Sequence, residues 1–113
     1  MGVDRQRTAS GLEYTQDPYL LRRLLRCSVC DLWLGCTRAL GSRVYRCAFV
    51  ACDLTIDATD ADSRTLAEAQ KRAAIDLIQP EYRQSALRQL LLAAIAGPGR
   101  AIEWRWRTGL PHL

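Results

Sequence analysis

Five cysteines stand in this chain of 113 residues, and four of them are spaced as two pairs. Cys27-Ser28-Val29-Cys30 is a C-x₂-C, and Cys47 and Cys52 follow with four residues between them. Two pairs of thiolates carried on the turns of a short hairpin can close a tetrahedral shell around one metal ion. The first pair makes a tight turn whose backbone N–H groups can face the sulfurs, and the second pair is looser. The spacing predicts one zinc held by Cys27, Cys30, Cys47 and Cys52, with the four sulfurs about 4 Å apart. Four thiolates give the complex a net negative charge and leave no open position for water, so the zinc is expected to be structural and not catalytic. Other readings of the cysteines have less support. A redox C-x-x-C belongs in a thioredoxin-like βαβ unit, and no such unit is legible here. Cys36, the fifth cysteine, falls in a β-prone stretch and reads better as a buried thiol than as a ligand. The single histidine, His112, lies in a tail containing Gly109 and Pro111 and is not expected to bind metal.

The rest of the chain reads as the other elements of a small α+β fold: a Cys₄ zinc ribbon on a β-hairpin, two helices and a C-terminal β-strand. Residues 1–17 show no apolar period and read as a flexible arm. Residues 18–58 form the ribbon, with Leu32-Trp33-Leu34 and Arg43-Val44-Tyr45-Arg46 flanking a turn at Leu40-Gly41-Ser42. Residues 59–97 read as a helix pair. The first helix is expected from Ser63 to Ile78, with Asp60 or Asp62-Ser63 as cap and Leu66, Ala69, Ala73 and Leu77 on one face. Pro80 suits the first position of a second helix, with Leu87, Leu90, Leu91 and Ile95 along one side and an end near Ala96 at Gly97-Pro98-Gly99. Within 98–107, Ile102, Trp104 and Trp106 alternate with Glu103, Arg105 and Arg107. That is the period of a half-buried strand. Its apolar face should return onto the ribbon or the helices. The remaining residues, 108–113, read as a tail.

Composition narrows the function classes. Apolar residues make up 49% of the chain and charged residues 25%, the balance of an ordinary globular domain. No apolar run approaches the length of a membrane span. The first residues are polar and lack the apolar core of a signal peptide, so a reducing cytoplasmic setting is expected, where clustered cysteines serve metals before disulfides. No Walker, HExxH, paired-carboxylate or Ser/His/Asp pattern is present, and the expectation is of a non-enzyme.

Charge points to a partner. Residues 1–52 carry a net +4, residues 53–80 a net −3 and residues 81–113 a net +3. Two basic ends suggest an anionic partner, nucleic acid first. All but one of the sixteen cationic residues are arginine, Lys71 being the exception, so a plain compositional habit accounts for the charge equally well.

The string Tyr19-Leu20-Leu21-Arg22-Arg23-Leu24-Leu25-Arg26 leading into Cys27-x-x-Cys30, then Tyr45-Arg46-Cys47 and a last Cys52, resembles the recombination zinc-ribbon region of the large serine recombinases. Arg83 to Leu91 followed by Ile102-Glu103-Trp104-Arg105-Trp106 is similar to the helix and final strand that close that family's C-terminal domain. The catalytic domain of the family has no counterpart here, and none of Ser10, Ser28, Ser42, Ser63 and Ser85 sits on such a scaffold. The resemblance therefore implies a zinc-ribbon DNA-binding module without recombinase catalysis. By position it assigns double-stranded DNA contact to Arg22, Arg23, Arg26, Arg38, Arg43 and Arg46, mostly with phosphates. Binding by one such module should be weak unless a protein partner or a homodimer adds to it. The acidic stretch before residue 80 favours another reading, an adaptor that docks on a recombinase or another DNA-associated protein. Trp33, Trp104 and Trp106 could stack on bases, but their setting reads as core.

Overall fold

The computed structural model describes Leu12 and residues 14–107. Eight elements follow in chain order: β1 (Leu25–Cys27), β2 (Gly35–Ala39), β3 (Ser42–Arg46), β4 (Thr55–Asp57), α1 (Ala58–Gln70), α2 (Pro80–Leu90), β5 (Leu91–Ala96) and β6 (Ile102–Trp106). The strands form two sheets of three. One has the order β1-β5-β6, with β1 parallel to β5 and β5 antiparallel to β6. The other is the antiparallel meander β2-β3-β4. The fold class is the small α+β arrangement expected from the sequence.

The meander begins with a two-residue turn. Leu40 and Gly41 both have positive φ, 52° and 82°, and Ala39 pairs with Ser42 across them. This is the mirror-image turn whose twist suits a hairpin, and it favours Asn-Gly over Leu-Gly. The first strand of this hairpin is β2, which follows directly on the expected Leu32-Trp33-Leu34. That segment instead folds back on β1, with Cys27 N–H bonded to the Leu32 carbonyl and Leu34 N–H to the Leu25 carbonyl.

The helices depart from the expected boundaries. Helix α1 starts five residues early, because Asp57 caps it by accepting the Asp60 N–H at 2.8 Å. It stops at Gln70, and the chain turns so that Ile75 enters the core. The Gln70 side chain then accepts the Asp76 N–H. Leu77, expected on the buried face, is 80% exposed. Pro80 opens α2 as expected, but the helix ends at Leu90. Leu91–Ala96 is a strand at the centre of its sheet and not the last turns of a helix. A short apolar run of this kind is ambiguous alone, and pairing on both edges decides it. The expected pair of helices over 59–97 thus occupies Ala58–Gln70 and Pro80–Leu90, and the last residues of that span are strand. The C-terminal strand does return, pairing with β5. Trp104 and Trp106 are half-buried against the core, and Trp104 Nε1 donates to Thr65 of α1 at 2.9 Å.

The described part of the expected arm is not free. Leu12 belongs to the core, Thr15 N–H bonds the Glu81 carbonyl, and the Tyr14 and Tyr82 rings meet edge to face. The rest of the arm and residues 108–113 lie outside the described residues, His112 among them.

The core gathers Leu21, Leu25, Tyr45, Ile75, Leu87 and Leu91 between the sheets and helices. Tyr45 is the largest of its fully buried side chains. Its hydroxyl donates to Asp62 at 2.6 Å and accepts the Leu21 N–H at 2.9 Å, tying β3 to α1 and to the turn before β1. Burial, then the Asp62 charge and the bond to it, raise the Tyr45 hydroxyl well above its ordinary pKa, so it stays a donor.

Two stability predictions follow from these positions. Tyr45→Phe keeps the ring but leaves the Leu21 N–H without an acceptor and removes a donor from Asp62. It should cost about 2 kcal/mol in urea unfolding. Leu40→Asn relieves a branched side chain at positive φ and should raise stability by about 0.5–1 kcal/mol in the same measurement.

Candidate metal centre

Each cysteine pair sits at the tip of a strand pair. Cys27 ends β1, and the chain turns through Ser28 and Val29 to Cys30 before folding back along β1. The turn is held by the Asp31 N–H on the Cys27 carbonyl and by the Ser28 N–H on the Ala96 carbonyl of β5. Cys47 follows β3, and Cys52 ends the turn that leads to β4. Here the Cys47 N–H bonds the Leu54 carbonyl and the Cys52 N–H bonds the Phe49 carbonyl. The first turn belongs to the β1-β5-β6 sheet and the second to the β2-β3-β4 sheet. The four sulfurs meet at the junction of the two sheets.

The four Sγ atoms lie within 4.8 Å of one another, and Cys27 and Cys52 are 3.8 Å apart. A tetrahedron with metal–sulfur bonds of about 2.3 Å has edges of about 3.8 Å. Four sulfurs at these separations could all bind one thiophilic ion, with the wider edges drawn in by up to about 1 Å. The sequence expectation of about 4 Å is met by the Cys27–Cys52 pair and exceeded by the outer separation of 4.8 Å. Cys27 and Cys47 are buried, and Cys30 and Cys52 are half-buried.

The surroundings suit thiolate charge. The Cys30 N–H points at the Cys27 sulfur at 3.4 Å. Burial acts to raise the Cys27 thiol, but the Cys30 and Val29 N–H groups and the neighbouring thiols outweigh it and bring it below its ordinary value. The Phe49 N–H acts on Cys47 in the same sense, although burial and the neighbours leave that thiol raised. Burial, reinforced by the other three cysteines, pushes Cys30 up to about 12. Thiolates this close repel one another, and all four can be ionised together only around a cation. The donor set is therefore that of a closed, four-sulfur metal site. Cys36 stands apart on β2 opposite Tyr45, half-buried, and its thiol is raised chiefly by burial.

The six arginines assigned to DNA do not share one face. Arg38 and Arg43 are cross-strand partners on the face that carries Tyr45, while Arg46 alternates to the other face. Arg43 is drawn inward. It donates to the Pro18 carbonyl and to Thr59 at 3.1 Å, pairs with Asp62 at 3.5 Å and lies over the Tyr19 ring. Arg22 pairs with Asp17 at 2.5 Å. Arg26 stacks on Trp33, 4.4 Å from the ring centroid, and pairs with Asp31. Arg38 bonds the Gly41 carbonyl at 3.2 Å. Among the described residues Arg23 and Arg46 are exposed and have no carboxylate partner.

Two features had no clear signal in the sequence. The Arg43–Asp62–Tyr45 network joins residues nearly twenty positions apart, and Asp62 by itself reads as a helix cap. The two metal-site turns also carry exposed apolar tips: Val29 is 71% exposed, Phe49 54% and Val50 96%. Comparison with protein-family models, curated proteins and solved structures gives no match. No helix among the described residues is long and apolar enough to cross a membrane.

The site makes a sharp distinction among the cysteines. Cys47→Ser should abolish stoichiometric metal binding, measured by elemental analysis of the purified protein, whereas Cys36→Ser should leave metal content unchanged.

Proposed function

We propose that this chain is a zinc-ribbon DNA-binding module without catalysis, related to the C-terminal domain of the serine recombinases, in which one structural zinc holds the ribbon together. The observation that carries the reading is the convergence of Cys27, Cys30, Cys47 and Cys52 from two separate strand pairs. An all-sulfur set at these separations suits a tetrahedral ion with no redox or open-site requirement, and zinc is the ion for which that is commonest. Metal binding here is coupled to the docking of one sheet on the other, so chelation should unfold the protein.

The positive charge supports DNA as the partner. Arg23, Arg38 and Arg46 reach solvent without a carboxylate partner among the described residues, and Arg22 and Arg26 keep part of their surface exposed. Arg43 leaves this set, because its guanidinium serves the fold. Phosphate contact is the natural use of such scattered arginines, since it needs charge and reach more than a shared groove-reading face.

The exposed tips Val29, Phe49 and Val50 favour a second reading, in which the metal-site turns dock on a recombinase or another DNA-associated protein.

The test is a fluorescence titration of labelled duplex DNA at several salt concentrations. Contacts from three arginines should give a log–log salt slope of about −3. Arg38→Ala/Arg46→Ala should flatten that slope by about 2. Binding that ignores both salt and these substitutions would remove DNA from the reading and leave the docking module. Loss of cooperative unfolding on chelation, with zinc restoring it, tests the metal independently.

A further inference from the structure

Among the described residues the two sheets have four edges, and three of them are closed or short. The outer side of β1 is bonded by the returning segment at Leu32 and Leu34. The β2 edge receives the Tyr19 hydroxyl on the Thr37 carbonyl at 2.7 Å. Strand β4 has three residues. Strand β6 has five, contains no proline and no inward-pointing charge, and its outer edge has no partner among the described residues. Such an edge is a template for another strand.

Which backbone groups are free follows from the ladder. Ala94 N–H bonds Leu24 and the Ala96 carbonyl accepts from Ser28, so these residues of β5 face β1. The alternate residues Ala93 and Ile95 then face β6, as the bond from Gly97 N–H to the Ala101 carbonyl requires. Their partners are Arg105 and Glu103. Ile102, Trp104 and Trp106 are left with N–H and C=O directed to the open edge.

We infer that β6 pairs antiparallel with β6 of a second copy of this chain, about a two-fold axis at Trp104. In that register Ile102 lies opposite the partner's Trp106, and Trp104 opposite the partner's Trp104. These are the residues whose backbone groups face outward, so each pair exchanges both bonds, about six in all. The same register sets Glu103 opposite the partner's Arg105, and Arg105 opposite the partner's Glu103. Both side chains stand on the exposed face of the sheet, 68% and 59% exposed, and pair with each other at 3.5 Å within one strand. The charge pattern of Glu103-Trp104-Arg105 is complementary to itself when reversed, and that selects a second copy over an unrelated strand. The contact is isologous and uses up the open edge of both chains, so assembly stops at a dimer with one six-stranded sheet and does not run on as a fibre. The interface is smaller than a standard one of about 1,600 Å², and a micromolar constant is expected. This inference depends on β6 alone and not on the DNA reading.

Sedimentation equilibrium of the metal-loaded protein over a concentration series tests it. The chain should dimerise. Glu103→Arg and Arg105→Glu each place like charges opposite one another twice, and each should weaken the dimer about tenfold or more. Mixing the two variants in equal amounts makes every cross-strand pair opposite in sign again, and the mixture should recover the wild-type constant as a heterodimer. A chain that stays monomeric up to millimolar concentration, a dimer indifferent to either substitution, or weakened variants that do not recover on mixing would overturn the inference.

Discussion

Four thiols brought within 4.8 Å at the seam between two sheets are the constraint on which the rest of this structure depends. The two sheets are small, and each supplies one cysteine pair from the tip of a strand pair. Among the described residues theirs is the one cluster with metal-binding spacing. Without a cation the cluster is a set of crowded acids that resist ionising together, and with one it becomes a crosslink between distant parts of the chain. A domain of this size buries a modest core, so a crosslink at that seam matters more than it would in a larger protein.

The core responds to the same geometry. Strand β3 leads into the second cysteine turn, and Tyr45 on that strand is the fully buried pivot between α1 and the turn before β1. Asp62 has its carboxyl raised by burial, against the opposing effects of the Tyr45 hydroxyl and Arg43. It is held by partners on both sides, and no buried side-chain nitrogen or oxygen among the described residues is left without one. Three elements are therefore locked by the Tyr45 hydroxyl, and the lock fixes the direction in which β3 delivers Cys47.

Arginine has two uses in this chain, and they compete. Arg43, Arg64 and Arg100 are committed to carboxylates of α1, Arg43 to Asp62 and the other two to Asp60. Arg26 and Arg72 cover tryptophan rings. The acidic stretch before residue 80 is thus partly neutralised from within the fold. The charge available to a polyanion is smaller than the sequence count suggests, and it is spread over more than one face.

The two cysteine pairs, the start of α2 at Pro80 and the alternating β6 were legible in the sequence, because each follows from chemistry carried by neighbouring residues. A C-x₂-C turn presents two sulfurs whatever surrounds it, proline suits a first helical turn by its own ring, and Ile102-Glu103-Trp104-Arg105-Trp106 alternates within five positions. What only the tertiary structure decided depends on residues far apart. Leu91–Ala96 has the composition of a helix end and becomes a central strand because β1 and β6 offer hydrogen bonds on both sides. Helix α1 gives up Leu77 so that Ile75 can enter the core. Arg43 leaves the surface because Asp62, Thr59 and the Pro18 carbonyl happen to converge on it. Local pattern specifies what a segment can do, and the partners that reach it decide which of those options has the lower free energy.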